Sequence, residues 1–346
     1  MNEMTEAFAV LSAYPDDCRP DRIEPLESAG GFSGGAIWKL TAPRGTLCLR
    51  RWPRERRDGA HIETIHSVLR HVYAQGFQLV PVPIAARDAT TLIESGGYYW
   101  ELSPWMPGEA TFHADPNAAR LAAAMQALAR FHLAAATFSG AQSAPAPSPG
   151  IALRLARLRE LRDGGCAAIE ATLAGGRLRD EWLVELLPTA QRALELFRQC
   201  APAVESQLVA AAEVVVPLQA CIRDIWHEHV LFTGNQVSGI IDFGAMRTDC
   251  VATDVTRLLG SLVGDDAAGW KSGIEAYCAV RPLSPAELSH VPVFDLSGVL
   301  LSPMNWLQWL YVDRRQFARR ERVRERLAVT VRRLEHLRTQ VNRRAD

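Results

Sequence analysis

Apolar residues follow a spacing of two in the first hundred residues of this chain. The strand-like runs Ile23–Glu27, Ala36–Thr41 and Thr46–Arg51 are separated by glycine-rich or proline-containing turns, and the last of them alternates apolar and polar residues. Thr91–Glu94 and Tyr98–Leu102 flank a pair of glycines and predict another hairpin. This spacing is typical of strands with one buried face. The pattern therefore predicts a small antiparallel sheet.

Helical spacing interrupts this region once and dominates the chain after it. Ile62, Ile65, Leu69 and Val72 recur every three or four residues and predict an amphipathic helix over His61–Ala74. Further helices are predicted at Ala118–Ala136, Ile151–Arg162, Arg177–Glu185, Thr189–Ala212, Val255–Val263, Ala267–Val280, Val293–Tyr311 and Asp313–Arg344. We therefore predict an α+β fold with a small N-terminal lobe, residues 1–104, and a large mainly helical lobe, residues 105–346.

Prolines and small residues mark two connections and one interruption of a helix. Glu101–Gly108 changes from a strand pattern to a proline-punctuated connector, which we interpret as a hinge between the lobes. Phe138–Gly150 is rich in proline, serine and alanine and is predicted to be a flexible surface loop. Pro303 is predicted to interrupt the helix in which it lies.

One segment, residues 214–260, combines two short strands with two acids. The apolar runs Val230–Phe232 and Val237–Ile241 flank a Thr-Gly-Asn-Gln turn, which predicts a β-hairpin. Asp224 precedes this hairpin, and Asp242, which opens an Asp-Phe-Gly triplet, follows it. The hairpin is therefore expected to carry one carboxylate at either end.

Composition and charge narrow the classes of partner. The chain has 346 residues, of which 48% are hydrophobic and 22% charged, as in ordinary globular proteins. A net charge of −1 gives no argument for nucleic acid or a membrane surface as partner. Seven scattered cysteines without a Cys-x-x-Cys pair, and the lack of a long apolar run, predict a soluble cytoplasmic protein. The sequence gives no indication of the oligomeric state.

Two features of the predicted sheet have the chemistry of a phosphate site. Ser33, Gly34 and Gly35 lie in a glycine-rich turn between antiparallel strands, where backbone N–H groups can surround an anion. Because a strand rather than a helix follows, the turn matches neither a dinucleotide fingerprint nor a Walker loop. Arg50, in preference to Arg51, is the candidate cation on the third strand. An ordinary hairpin and a solvated strand end are the alternatives.

The order of these parts resembles the aminoglycoside phosphotransferase and choline kinase-like family. The resemblance covers most of residues 23–260 and is strongest from Asp224 to Arg257. It implies a protein-kinase-like bilobal fold and ATP-dependent phosphorylation of a hydroxyl on a small molecule, with Mg²⁺. The short interval of eleven residues between Asp242 and Asp254 also argues for a small acceptor rather than a polypeptide.

The resemblance implies a role for each matching residue. Asp224 is the expected catalytic base, Asp242 the expected metal ligand, and Asp254 the acid that braces the catalytic loop. Serine 33 and the two glycines after it cover the phosphates, and Arg50 binds them. The main-chain groups of Glu101 and Leu102 are expected to meet the adenine.

The sequence departs from the family at the second metal position. His229 stands where the family has asparagine, five residues after the base. Imidazole is a poor ligand for Mg²⁺ and a better one for softer ions. Three interpretations stay open: Asp242 carries the metal alone, His229 favours another ion such as Mn²⁺, or catalysis is lost. The last would leave a catalytically silent nucleotide- or metabolite-binding protein.

Two weaker interpretations attach to neighbouring residues. Glu63, the only acid of the helix over His61–Ala74, is either the partner of Arg50 or a surface carboxylate. His227 and His229 are two residues apart and form a possible zinc pair, but no third ligand is evident in the sequence.

Overall fold

The computed structural model describes residues 3–26, 35–54, 58–141, 143–174, 180–317 and 319–345. By internal contacts the chain divides into two compact units. Unit 1 comprises residues 1–142 and 224–246, and unit 2 comprises residues 143–223 and 247–346. The hairpin that carries the two candidate aspartates therefore belongs to the same unit as the N-terminal sheet. The lobe boundary expected after residue 104 stays a prediction.

The described part of unit 1 contains a five-stranded antiparallel sheet with the order β1-β2-β3-β5-β4. Its strands are β1 (Arg22–Pro25), β2 (Ala36–Ala42), β3 (Gly45–Arg51), β4 (Ile93–Ser95) and β5 (Tyr98–Pro104). Trp38 and Trp100 are fully buried and stack with ring centroids 5.3 Å apart. Alternation in the sequence therefore gave the strands and their buried face correctly.

Two of the three α-helices described in unit 1 begin at side-chain caps. The three helices are α1 (Glu3–Leu11), α2 (Gly59–Ala74) and α3 (Ala118–Ala135). The Asp58 carboxylate accepts the His61 N–H, so α2 begins two residues before the start predicted from its apolar stripe. Asn117 caps α3 in the same way through the Arg120 N–H.

The hairpin predicted in the central segment is present. It consists of β8 (Val230–Thr233) and β9 (Gln236–Ile240), joined at Gly234, whose φ is +58°. Val230 pairs with Ile240, and the Ile241 N–H donates to the His229 carbonyl at 2.9 Å. These bonds bring the residues before β8 and after β9 together at the open end of the hairpin.

Unit 2 contains a small sheet that the sequence did not reveal. Its strands are β6 (Ser143–Pro147), β7 (Val215–Cys221) and β10 (Arg247–Asp249), in the order β10-β7-β6. The prediction of a flexible loop was therefore wrong over Ser143–Pro147. Proline cannot donate to a ladder, but it is tolerated in an edge strand, and β6 lies at an edge in the described sheet.

The rest of the described part of unit 2 is mainly helical. Its helices are α4 (Pro149–Glu160), α5 (Cys166–Ala174), α6 (Glu181–Glu185), α7 (Leu187–Ala212), α8 (Ala252–Val263), α9 (Ala267–Cys278), α10 (Pro285–Leu307) and α11 (Arg320–Ala345). Helix α10 continues through Pro292 and Pro303, so the predicted interruption was wrong. Pro303 and its neighbour Met304 are buried, and tertiary packing of this kind outweighs the local cost of proline. Within the described ranges, no helix is both long and apolar enough to cross a membrane.

Candidate active site

The backbone that leads to Asp224 is held in an unusual conformation. Arg223 has a φ of +67°, in the left-handed region that non-glycine residues rarely adopt. The fully buried carboxylate of Asp254 on α8 accepts the N–H groups of Ile222 and Arg223, both at 2.6 Å. Asp254 therefore stabilises this turn, in the bracing position that the family resemblance implied.

Asp224 and Asp242 approach the same small recess of unit 1. A cavity of about 50 Å³ is lined by both aspartates together with Arg50, Trp52, Pro53, Gly244 and Ala245. The His229 ring bonds through Nδ1 to the Asp224 carbonyl at 2.9 Å, which closes the loop before β8. The two acids that the sequence separates by a hairpin thus meet beside the cation of β3.

Asp242 is paired with Arg50. Its φ is +60°, and its Oδ1 accepts from Arg50 Nη2 at 3.0 Å. Burial raises the pKa of the Asp242 carboxyl, but the charge and hydrogen bond of Arg50 and the Gly244 N–H outweigh that effect and lower the pKa below its usual range. The carboxylate is therefore ionised at neutral pH, and 43% of its side chain is exposed.

The side chains of Arg50 and Arg51 lie in different surroundings. The Arg50 side chain is 16% exposed and its guanidinium lies 4.2 Å from the centre of the Trp52 ring. Arg51 instead pairs with Glu3 at 2.7 Å and stacks on Tyr98. Of the two candidate cations, Arg50 is thus the one beside the aspartates.

A polar network that the sequence did not reveal lies behind Arg50. Glu101 on β5 accepts from Trp52 Nε1 at 3.0 Å and from His66 Nε2 at 2.7 Å. The other ring nitrogen of His66 bonds to Thr91 Oγ1 at 2.8 Å. Burial raises the pKa of the Glu101 carboxyl, but His66, Arg50 and Trp52 outweigh that effect and lower it.

His66 is a buried residue of this network that was not predicted from the sequence. Glu63, the acid considered for α2, is exposed, whereas His66 is 1% exposed. The signal was present, because His66 lies four residues after Ile62 and three before Leu69, inside the apolar stripe of α2. A polar residue at such a position needs a buried partner.

The structure describes only some of the other residues that are predicted to contact the nucleotide. Ser33 and Gly34 lie outside the described residues, and Gly35 directly precedes β2. Glu101 and Leu102 lie within β5, where the Leu102 carbonyl accepts the Ile84 N–H at 2.7 Å. The connector itself begins at Trp105, after the strand ends. A contact of the Glu101 and Leu102 main chain with adenine stays a prediction.

The fit of the site to a divalent cation rests on Asp242. Its exposed carboxylate offers the oxygen ligands that Mg²⁺ prefers. His229 Nε2 lies 3.6 Å from Asp242 Oδ2, but it accepts the indole N–H of Trp226 at 2.7 Å. Because indole only donates, the Nε2 lone pair points to Trp226 in this structure. Asp242 can therefore bind the metal without rearrangement. His229 can bind it only if the hydrogen bond between its Nε2 and Trp226 breaks.

A zinc site gains no support from the same segment. His227 and His229 belong to no group of three metal-ligating side chains among the residues described above. The His227 ring instead contacts the rings of Trp226 and His113 edge to face.

Comparison with known proteins identifies the family. Residues 26–283 match the phosphotransferase enzyme family, which is most of the chain. The chain belongs to this family. The phosphotransferase is similar to the homoserine kinase of Allorhizobium ampelinum, at 28% identity over 270 residues, 75% of this chain and 73% of the relative. Homoserine kinase of Methylocella silvestris is 23% identical over 300 residues, 84% of this chain and 83% of that protein.

Solved structures agree on the fold of the phosphotransferase. A spectinomycin phosphotransferase in complex with ADP and spectinomycin superposes with a TM-score of 0.71 at 12% identity, covering 96% of this chain and 98% of that one. The predicted protein-kinase-like α+β fold and the predicted membership of the aminoglycoside phosphotransferase family are confirmed. The phosphotransferase is a small-molecule kinase whose acceptor group is a hydroxyl, as predicted.

Proposed function

We propose that the phosphotransferase transfers the γ-phosphoryl group of ATP to the hydroxyl of a small hydroxy-amino acid, with homoserine as the first acceptor to test. The observation that carries this proposal is the single recess lined by Asp224, Asp242 and Arg50. A base, a metal-binding acid and a phosphate-binding cation are the groups that phosphoryl transfer needs side by side. The choice of acceptor is supported by the homoserine kinases that resemble this chain over about three quarters of its length.

Asp224 acts on the acceptor in this proposal. Its exposed carboxylate, next to a backbone fixed by Asp254, accepts the proton of the acceptor hydroxyl. The hydroxyl oxygen forms its bond to the γ-phosphorus while the bond from phosphorus to the departing ADP oxygen breaks. A positioned base of this kind contributes about 10²–10⁴-fold to the rate.

Asp242 and Arg50 act on the nucleotide. Asp242 would hold Mg²⁺ through its exposed carboxylate, and the bound metal would supply positive charge against the phosphates. Arg50 forks to phosphate oxygens, which requires its contact with Asp242 Oδ1 to be shared or exchanged. Ser33, Gly34 and Gly35 cover the phosphates, and the main chain near Glu101 and Leu102 meets the adenine.

The cytoplasm is the compartment in which we place this reaction. All seven cysteines are free thiols, which fits a reducing compartment where ATP is available.

The test is ATP consumption with Mg²⁺ or Mn²⁺ in the presence of homoserine, serine, choline, sugars and aminoglycosides in turn. We expect turnover that depends on a hydroxy-amino acid and falls by about 10²–10⁴-fold in Asp224→Asn. The variant should still bind a non-hydrolysable ATP analogue, because Asp224 acts on the acceptor.

Two outcomes would contradict parts of the proposal. Turnover with another acceptor class would overturn the hydroxy-amino acid. Nucleotide binding without turnover under any condition would favour a catalytically silent binder.

A further inference from the structure

The guanidinium of Arg50 is held by one carboxylate and one aromatic ring. Asp242 binds one edge of it at 3.0 Å, and the Trp52 ring lies 4.2 Å from it. Gly244 approaches the same group so closely that a Cβ there would lie 3.2 Å from the Trp52 ring and 3.4 Å from Arg50 Nη2. The plane of the guanidinium is therefore set largely by the orientation of the Trp52 ring.

The orientation of Trp52 is in turn fixed from β5. The Trp52 side chain is 2% exposed, and its indole N–H donates to Glu101 Oε2 at 3.0 Å. Glu101 pairs directly with Arg50 across β3 and β5, so both side chains leave the sheet on the same face. The negative charge of Glu101 thus lies beside the cation while its oxygen anchors the ring on which that cation stacks.

Helix α2 holds Glu101 in place. His66 Nε2 donates to Glu101 Oε2 at 2.7 Å, because an ionised carboxylate can only accept. Thr91 bonds to the second ring nitrogen of His66, so the ring cannot turn without losing two hydrogen bonds. The acid that a kinase-like site is expected to carry on this helix is here on the sheet, and the helix supplies its donor.

We propose that Glu101 and His66 form a positioning pair for Arg50, acting through the indole of Trp52. This inference rests on the proposed role of Arg50 at the nucleotide phosphates. Neither residue touches the reacting atoms; together they hold the guanidinium in the plane in which it forks to phosphate oxygens. Pre-alignment of this kind strengthens ligand binding because the ordering cost is met before the ligand arrives.

The primary experiment measures the Kd of a non-hydrolysable ATP analogue, with Mg²⁺, for the full chain by calorimetry. We expect Glu101→Gln to raise the Kd about ten-fold, because the amide oxygen can still accept from Trp52 and His66 but lacks the charge that strengthens those hydrogen bonds and attracts Arg50. Trp52→Phe, which keeps an aromatic ring but lacks the N–H, should raise the Kd in the same direction by less. His66→Phe should also raise it, whereas His66→Gln keeps an amide donor and should stay closer to the wild type.

A coupling measurement separates positioning from a merely structural role. In an Arg50→Ala background, Glu101→Gln should change the Kd little further, because the group that it positions is gone. A structural role would give the same fold-change in both backgrounds. Glu287→Gln, which removes a buried carboxylate from unit 2, is the matched control and should leave the Kd unchanged.

Three outcomes would overturn the inference. They are an unchanged Kd in Glu101→Gln, an equal effect of that substitution with and without Arg50, and an unchanged Kd in Arg50→Ala. The last removes the target of the pair, yet acceptor-dependent turnover by the wild type would still support the proposed function. Failure of the positioning role and failure of the kinase proposal are therefore distinguishable.

Discussion

Two arginine–carboxylate pairs with similar distances have different surroundings. In unit 1, Arg50 meets Asp242 at 3.0 Å, and 43% of the aspartate side chain is exposed. In unit 2, Arg281 meets Glu287 at 2.8 Å, and only 3% of the glutamate side chain is exposed. The first carboxylate retains surface for a ligand, whereas the second is enclosed by protein.

The backbone conformations of Glu287 and Asp242 also differ. Glu287 lies in the first turn of α10, where its second oxygen accepts the Ser284 N–H and completes a capping box. Asp242 has a left-handed backbone and follows the end of β9. The Arg281–Glu287 pair lies at a helix terminus, where its contribution to stability is enough to explain it. Strain together with an exposed charge in a recess is the combination found at functional sites.

Asp242→Asn should separate activity from stability most strongly. We expect kcat/KM to fall by about 10²–10³-fold or more, because the amide lacks the charge that holds the metal. Unfolding free energy should fall by only about 1–2 kcal/mol, since solvent screens the half-exposed Asp242 carboxylate in its pair with Arg50 and asparagine tolerates a positive φ. Steady-state kinetics and urea unfolding measure the two quantities. Loss of stability with retained activity would remove Asp242 from the proposed site.

Glu287→Gln should give the opposite result. Leaving Arg281 buried without its anion is expected to cost about 3 kcal/mol of unfolding free energy. The kcat of the folded variant should equal that of the wild type, because Glu287 belongs to no part of the proposed site. Urea unfolding together with activity per folded molecule provides the check. A variant as stable as the wild type would show that the buried pair is not stabilising.

Unfolding free energy measured at low pH gives a second test of the Arg281–Glu287 pair. Burial raises the pKa of Glu287, but Arg281 and the Ser284 backbone outweigh that effect and lower it. A carboxyl with a lowered pKa in the folded state stabilises the protein above its unfolded value, about 4.3, and loses that contribution as pH falls through the folded pKa. The stability gap between wild type and Glu287→Gln should therefore be full at pH 7 and shrink below about pH 4. A gap that widens in acid would reverse this assignment.

The same contrast explains what could be predicted from the sequence. Periodicity located the strands of unit 1, the hairpin and most helices, because each of these buries one regular face. The hairpin was expected to carry Asp224 and Asp242 at either end, and in the structure both acids line one recess beside its open end. Local patterns worked wherever the residues that interact lie on one element or on its direct neighbour.

Contacts between distant segments were not predictable in this way. Strand β6 is defined by pairing with β7, about 70 residues later, and its prolines resemble those of a loop. Glu101 and His66 belong to different elements, and nothing in either local pattern names the other. The partner of Arg50 was sought on α2 by analogy, whereas the structure pairs it with Asp242, 192 residues away.

Trp226→Phe should have the smallest effect of these substitutions. It tests whether His229 can join Asp242 in binding a metal. Removal of the indole N–H leaves the His229 Nε2 lone pair, 3.6 Å from Asp242 Oδ2, able to join a metal. We expect Mn²⁺ to bind several-fold tighter, with little change for Mg²⁺, because imidazole favours the softer ion. Mn²⁺ binding followed by electron paramagnetic resonance measures this, and His229→Phe, which leaves no ligand atom, should abolish the gain when combined with Trp226→Phe. An unchanged Mn²⁺ affinity would mean that Asp242 carries the ion without His229, as an oxygen ligand alone.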